Sequence, residues 1–462
     1  MKIPKALLVT ILILSLVLAG TFTAFGTEPT KATEIKVQFN GENVLFTDAS
    51  PKIINGRTMV PFRQILETMG ATVTYDQQTN TVLSKLAQIE FSFIIGETDL
   101  TITKDNKTVI KKMDVAPFVD GKPGRTYVPV RFMAESLGYN VGWDNEEKTA
   151  VIIDPATLFK YADQDFSIIA KLLTSDLDLT KPYRNTAHFD MEFALYDAMN
   201  PAEGITYSIV GDMSGIQQKS NADLLMNLMI NAEILSIPIE QRTQMEEMLD
   251  LFKKVVMKVK MNGETGTMYM NSNLFKIMDP GYDDNTWLKM NFFDLYDDMG
   301  FDIRPWINLS YSEPSLSEML GTIFSSMGDY NISTYQDINT AYASLKKLIG
   351  NEAFKQQTKG GITTYTLNLE NGSILDLDFK GNIIIKEKAG SLYHYDMEGN
   401  GSVEGTIFIL DISGDQKNGE MKMTLDQKDV IKMVLYVQSN LTETSETPSL
   451  NPPAGAKIVD YN

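Results

Sequence analysis

The strongest constraint in this chain is that it repeats itself. Gly56-Arg57-Thr58-Met59-Val60-Pro61-Phe62-Arg63 returns, 68 residues on, as Gly124-Arg125-Thr126-Tyr127-Val128-Pro129-Val130-Arg131. The register then holds without a gap: Glu67 matches Glu135, Gly70 matches Gly138, Val73 matches Val141, Asp76 matches Asp144 and Thr81 matches Thr149. The first third of the chain must therefore build one supersecondary unit twice.

Each copy has readable physics. A β-rich lead-in such as Ile35 to Phe39 ends in a glycine-containing turn before Gly56 or Gly124. The Arg-Thr-x-Val stretch is a short strand. Pro61 and Pro129 then stand where a helix's first turn tolerates a missing N–H. Phe62, Ile65, Leu66 and Met69, and in the second copy Val130, Met133, Ala134 and Leu137, have helical spacing. Gly70 and Gly138 fall at a left-handed C-cap. A strand follows (Thr72–Tyr75, Asn140–Trp143), then an Asp-led turn (Asp76 to Asn80, Asp144 to Lys148) and a closing strand. Arg63 with Glu67, and Arg131 with Glu135, are spaced i, i+4, as an ion pair on a helix or as part of a binding patch.

The doubled Gly-Arg-Thr-x-Val-Pro-x-Arg…Glu…Gly…Asp…Thr pattern, over residues 33–154, resembles the copper amine oxidase N-terminal (stalk) domain of exported proteins of spore-forming Gram-positive bacteria. The resemblance implies an α+β module of antiparallel sheet on helix, with no catalysis of its own. An oxidase does not follow it. Such enzymes need three histidine ligands and a tyrosine inside Asn-Tyr-Asp/Glu, whereas this chain has His188, His394 and no Asn-Tyr dipeptide.

Residues 1–26 have the layout of a secretory signal: Lys2 and Lys5, an apolar run from Ala6 to Leu18, and small residues at Ala24 and Gly26. The run is short for a bilayer span, which takes about 20 residues, so cleavage is expected, with an uncleaved N-terminal anchor as the alternative; no later run reaches that length, and no transmembrane span is expected once the signal is removed. The chain has no cysteine, which excludes disulfides, a thiol nucleophile and lipid attachment at a signal-peptide cysteine. A net charge of −19 argues against nucleic acid as a partner. A secreted protein at the cell surface, of Gram-positive type, is the expected setting.

From about residue 155 the character changes. Residues 155–182 read as a linker or helical lead-in, 183–440 as one domain of strands and helices, and 441–462 as a polar tail, extended or loosely held. Phe189, Met191, Phe193 and Leu195 alternate as a strand; so do Ile205, Tyr207 and Ile209. Leu224, Leu225, Leu228, Met229, Ala232 and Leu235 predict a helix, with Met245, Met248, Leu249 and Phe252 on a second. Alternation returns over Val255–Met261, with short strands at 266–270, 274–278 and 286–290. A second helical pair is predicted over 316–327 and 338–349, then hairpins to Val437 with turns such as Lys380-Gly381-Asn382 and Lys417-Asn418-Gly419. The fold class is thus α+β: a small duplicated sheet-plus-helix module, then a large curved antiparallel sheet, half-barrel-like, packed on helices.

That layout, with the closing Pro452 to Asp460 segment, is similar to LolA-like lipoprotein-carrier domains, which implies an apolar cavity between sheet and helices. Residues 155–462 hold 20 of the 25 methionines, and flexible thioethers suit a surface that repacks around greasy ligands as well as an ordinary core. Met191, Met229, Met245, Met248, Met257, Met261 and Met290 are the candidate cavity liners. His188 and His394 read as solvated sheet-face residues. Asp279, Asp283, Asp284, Asp294, Asp297, Asp298 and Asp302 read as solvated loops or a Ca²⁺ site. Asp396, Glu398, Asn400 and Gly401 mimic the start of a Ca²⁺ loop, but Ile407 stands where its twelfth-position Glu belongs. No hydrolase elbow, phosphate loop or dinucleotide fingerprint occurs. The expected function is non-catalytic and needs no cofactor or metal: a stalk presenting a binding domain to a cell-wall or surface component, or a carrier of a lipid-like apolar ligand.

Overall fold

The computed structural model describes residues 34–104, 106–173, 177–196, 204–234, 253–299, 302–312, 314–326, 328, 330–374, 377–403 and 405–461. The expected signal and the helical stripe of Met245, Met248, Leu249 and Phe252 lie outside them. The described chain divides into two compact units, one of residues 34–160 and 323–342 and one of 161–322 and 343–461.

In the first unit the lead-in gives β1 (Lys36–Phe39), β2 (Glu42–Asn43) and β3 (Lys52–Ile54). The first motif forms β4 (Arg57–Pro61) and α1 (Phe62–Thr68), followed by β5 (Thr72–Asp76) and β6 (Thr81–Leu86). β7 (Ile89–Ile94), β8 (Asp99–Lys104), β9 (Lys107–Lys112) and β10 (Phe118–Asp120) lead to the second copy. That copy is β11 (Arg125–Pro129), α2 (Val130–Ser136), β12 (Asn140–Asp144) and β13 (Thr149–Ile153). Both helices begin directly after the motif proline and end in the same way. Gly70 and Gly138 have φ of +86°, and the N–H groups of Ala71 and Tyr139 donate to Leu66 and Ala134. These are 6→1 bonds of a Schellman cap. Asp76 and Asp144 each accept backbone N–H groups of their turns, and Asn80 and Lys148 close those turns with φ of +54° and +52°.

The two copies interlock rather than stand in series. β4 and β11 pair antiparallel with Val60 opposite Val128, both fully buried, and β1 of the first copy runs parallel to β13 of the second. Val60, Phe62, Leu66, Val128, Val130 and Ala134 share one core. The motif arginines cross over: Arg125 Nε donates to Asp48 at 2.7 Å, and Arg57 pairs with Asp114. The helix pair Arg131–Glu135 is present at 3.9 Å and exposed; Arg63 and Glu67 form no such pair. Residues 323–342 complete this unit. Asn140 Nδ2 donates to Tyr330 Oη at 2.9 Å, and that hydroxyl donates to the Phe324 carbonyl at 2.8 Å.

The second unit is built on a fourteen-stranded sheet, curled like half a barrel. One meander comprises β14 (Tyr183–Tyr196), β15 (Gly204–Gln218), β16 (Asn221–Ile234), β17 (Val255–Asn262), β18 (Thr267–Ser272) and β19 (Thr286–Asn291). The other comprises β20 (Lys355–Lys359), β21 (Ile362–Ile374), β22 (Leu377–Lys388), β23 (Ser391–Val403), β24 (Thr406–Gly414), β25 (Asn418–Gln427) and β26 (Ile431–Glu443). They join where β26 pairs with β14, and β27 (Lys457–Asp460) runs parallel to β19 at the far edge. Helices at Phe275–Met278, Phe292–Asp298 and Arg304–Tyr311 belong to this unit.

Two expectations fail. Leu224 to Met229 lie in β16, not a helix: Leu224 and Leu228 face one side, Leu225 and Met229 the other. Both faces of that strand are apolar there, and such a double run imitates helical spacing. Residues 275–278 form a helical turn, not a strand. The tail is extended and tied down: Arg184 pairs with Glu446 at 2.5 Å, Lys260 Nζ donates to the Ser449 carbonyl at 3.1 Å, and β27 follows.

Gly142 tests the docking of residues 323–342, because a Cβ there would stand 2.1 Å from the Tyr330 carbonyl oxygen. Gly142→Ala is expected to cost about 1–3 kcal/mol in chemical denaturation. Thr74→Ala, at the matching position of the first copy, should cost less than half of that.

Candidate functional site

Pairing register assigns every sheet side chain to one of two faces, since directly paired residues point the same way. On one face Leu367, Ile383, Met397, Ile412, Met421, Val437 and Phe189 stand opposite one another across seven strands. Leu367, Ile383, Ile412 and Met421 are buried. At this end Lys171, the residue that caps the short helix Ser167–Ala170, pairs through Nζ with Glu387 at 2.6 Å and lies 5.7 Å from the Tyr365 ring centre. Gaps are filled by rings. Phe189 lies over Gly211, where a Cβ would meet its Cζ at 2.7 Å. Tyr395 lies over Gly414, where a Cβ would meet its hydroxyl at 2.5 Å. Burial pushes the Tyr395 phenol well above the ordinary tyrosine value.

Further along the strands the same face opens. Leu410, Met423, Leu435, Met191, Ile209 and Ile230 form one unbroken row, all half-buried. Phe408, Leu425, Met433, Phe193 and Tyr207 form the next, also half-buried. Of the candidate methionines, Met191, Met257, Met261 and Met290 lie on this apolar face. Met229 lies on the opposite face and is 53% exposed; Met245 and Met248 are outside the described residues.

The opposite face is mostly polar, and both histidines of the chain are on it. His188 Nδ1 donates to Asp212 Oδ1 at 2.9 Å, and His394 Nε2 donates to Asp396 Oδ2 at 2.9 Å. Both line one open groove of about 670 Å³. Asp415, in the turn that borders it, is pushed up by burial. Bonds from the Asn418 side chain and the N–H groups of Asn418 and Lys417 outweigh this and leave it below the usual aspartate range. Sequence reading placed each histidine on a solvated sheet face but had no signal that 206 residues of separation close into one groove.

The acidic stretches are engaged locally. Asp283 accepts from Thr286 Oγ1 at 2.8 Å, Asp284 pairs with Lys276 at 2.7 Å, and Asp297 and Asp302 both hold Arg304. Asp396, Glu398 and Asn400 do not form a Ca²⁺ loop; they lie in β23, where extended backbone cannot wrap an ion. Among the described residues no group of three or more His, Asp or Glu is placed to hold a metal. The motif residues of the first unit (Gly56, Arg57, Val60, Pro61, Gly70 and their counterparts) serve turns, pairing and cross-copy ion pairs, as described above.

Comparison with known proteins agrees with the repeat. Residues 38–152 match the family described as copper amine oxidase N-terminal domain. What is matched is the N-terminal domain of those oxidases and not their catalytic domain. No curated protein matches the chain. Among solved structures, one described as lipid–protein interactions in lipovitellin aligns over 60% of this chain at 8% identity and a TM-score of 0.18. The alignment spans 27% of that chain. A beta-barrel-like protein of a domain of unknown function from Brucella abortus aligns over 57% of this chain and 96% of its own, at 10% identity and a TM-score of 0.13. Both superpose too loosely to support inference about this chain.

Two substitutions test the described contacts of the polar face. Lys260, 11% exposed at its side chain, pairs with Asp223 at 2.8 Å and holds the tail. Lys260→Met should cost about 2 kcal/mol in thermal or chemical unfolding, because it strands a part-buried carboxylate. Asp415→Asn should destabilise at pH 7. Its gap to wild type should narrow as pH falls through the depressed Asp415 value, since a lowered carboxyl stabilises only above it.

Proposed function

We propose that this is an exported, non-catalytic protein of the cell envelope in which the duplicated module is a stalk and the large sheet is the binding domain. The half-open part of its apolar face takes lipid-like chains. The observation that carries the reading is the gradient along that face: one end is buried, while two contiguous apolar rows beyond it remain half-buried across five and six strands. Monomeric soluble proteins seldom leave so large an apolar surface without an occupant. Methionine-rich rows also adapt to chains of varied shape.

Export is supported by the signal-like start at residues 1–26, the absence of cysteine and the kind of module the repeat resembles. A non-catalytic role is supported by a match confined to the accessory domain of the oxidases.

Native mass spectrometry with lipid extraction, on the full chain purified from a cell envelope without detergent, tests the binding role. An added mass of one or more lipids is the expected result. A clean apo mass that persists after incubation with phospholipid vesicles would reject lipid binding and leave the sheet as a docking scaffold.

A further inference from the structure

We infer that the polar face of the large sheet carries a second binding site, a groove for a neutral, hydroxyl- and amide-bearing glycan strand, separate from the apolar face assigned to lipid. Six side chains define it. Asp396, Ser413, Glu420, Gln438, His188 and Asp212 are direct partners in register across β23, β24, β25, β26, β14 and β15. They therefore project from one side in a line, spaced by the interstrand distance of about 4.8 Å. That spacing is close to the rise of one pyranose ring along an extended chain, and the line runs through the open groove of about 670 Å³.

The chemistry of the row selects the ligand. Among the described residues no lysine or arginine lines the groove, while Asp212, Asp415 and Glu420 do, so a phosphate- or carboxylate-bearing polymer is disfavoured there. The acidic groups are also committed to fixed donors. Asp212 and Asp396 accept from the two histidines, Asp415 accepts two backbone N–H groups, and Glu420 accepts from Tyr436 Oη at 2.8 Å. Held this way they are oriented acceptors. Gln438, Ser413, Asn418 and Asn440 add groups that both donate and accept. A fixed alternation of acceptors with two-way groups suits hydroxyls and acetamides, which need both at each ring. Ion pairing needs neither. Arg184, four residues along β14 from His188, holds the tail through Glu446 on the flank of the row, so the strand would lie across the β-strands and not along them.

Isothermal titration of the full chain with neutral hexasaccharides (chitohexaose, cellohexaose and maltohexaose) tests the site, with spermine and polyglycerol phosphate as charged probes. At least one hexasaccharide should bind, and both Gln438→Ala and Glu420→Ala should weaken it about tenfold. Both positions are exposed, so circular dichroism should confirm an unchanged fold. Lys107→Ala, on the exposed β9 of the duplicated module, should leave glycan affinity unaltered. The proposal is overturned by any of three results: no binding of any hexasaccharide at millimolar concentration, equal binding by wild type and both groove variants, or spermine or polyglycerol phosphate binding more tightly than every neutral probe. Because lipid and glycan occupy opposite faces, a clean apo mass in the lipid experiment leaves this test intact.

Discussion

A one-residue slip of any strand in the large sheet would carry its apolar set to the other side, and the separation of the two faces depends on that slip never occurring. Three devices hold the register. Tight hairpins are closed by residues with positive φ, such as Lys219 between β15 and β16 and Ala389-Gly390 between β22 and β23. Rings seated on glycines, Phe189 on Gly211 and Tyr395 on Gly414, fit only one alignment. Ion pairs across the seam, Lys181 with Glu443 and Arg184 with Glu446, fix β14 against the end of β26. Packing and charge thus specify the same pairing that the turns impose.

The duplicated module solves a different problem. Neither copy buries its own motif: Val60 needs Val128, Arg125 needs Asp48, and β1 finds its partner in β13 at the other end of the module. Two copies that exchange strands and ion pairs make one core from units too small to hold one apart. The symmetry is then broken on purpose at one position. Gly142 admits Tyr330, while its counterpart Thr74 carries a side chain into open solvent on an extended five-stranded sheet.

Local rules made much of this legible in sequence. The motif strand, the Gly70 and Gly138 caps and the Asp76 and Asp144 turns are set by neighbours within a few residues, and the alternation of β14 and β21 to β26 names the apolar face directly. What stayed hidden was non-local or degenerate. Leu224-Leu225 and Leu228-Met229 satisfy a helix and a two-sided strand equally well. The exchange of β1 into the second copy, the loan of residues 323–342 to the module and the meeting of His188 with His394 depend on contacts more than a hundred residues apart. No periodicity encodes these.

The strand order has a consequence for assembly. Within each meander every strand pairs with its sequence neighbour, so most of these pairings form by closing short loops at small entropic cost. The seam is the exception: Phe189 meets Val437 only after some 250 residues have been laid down. Until then β14 presents an unpaired edge fourteen residues long, a template for pairing with other chains. The seam is therefore the step whose delay invites aggregation.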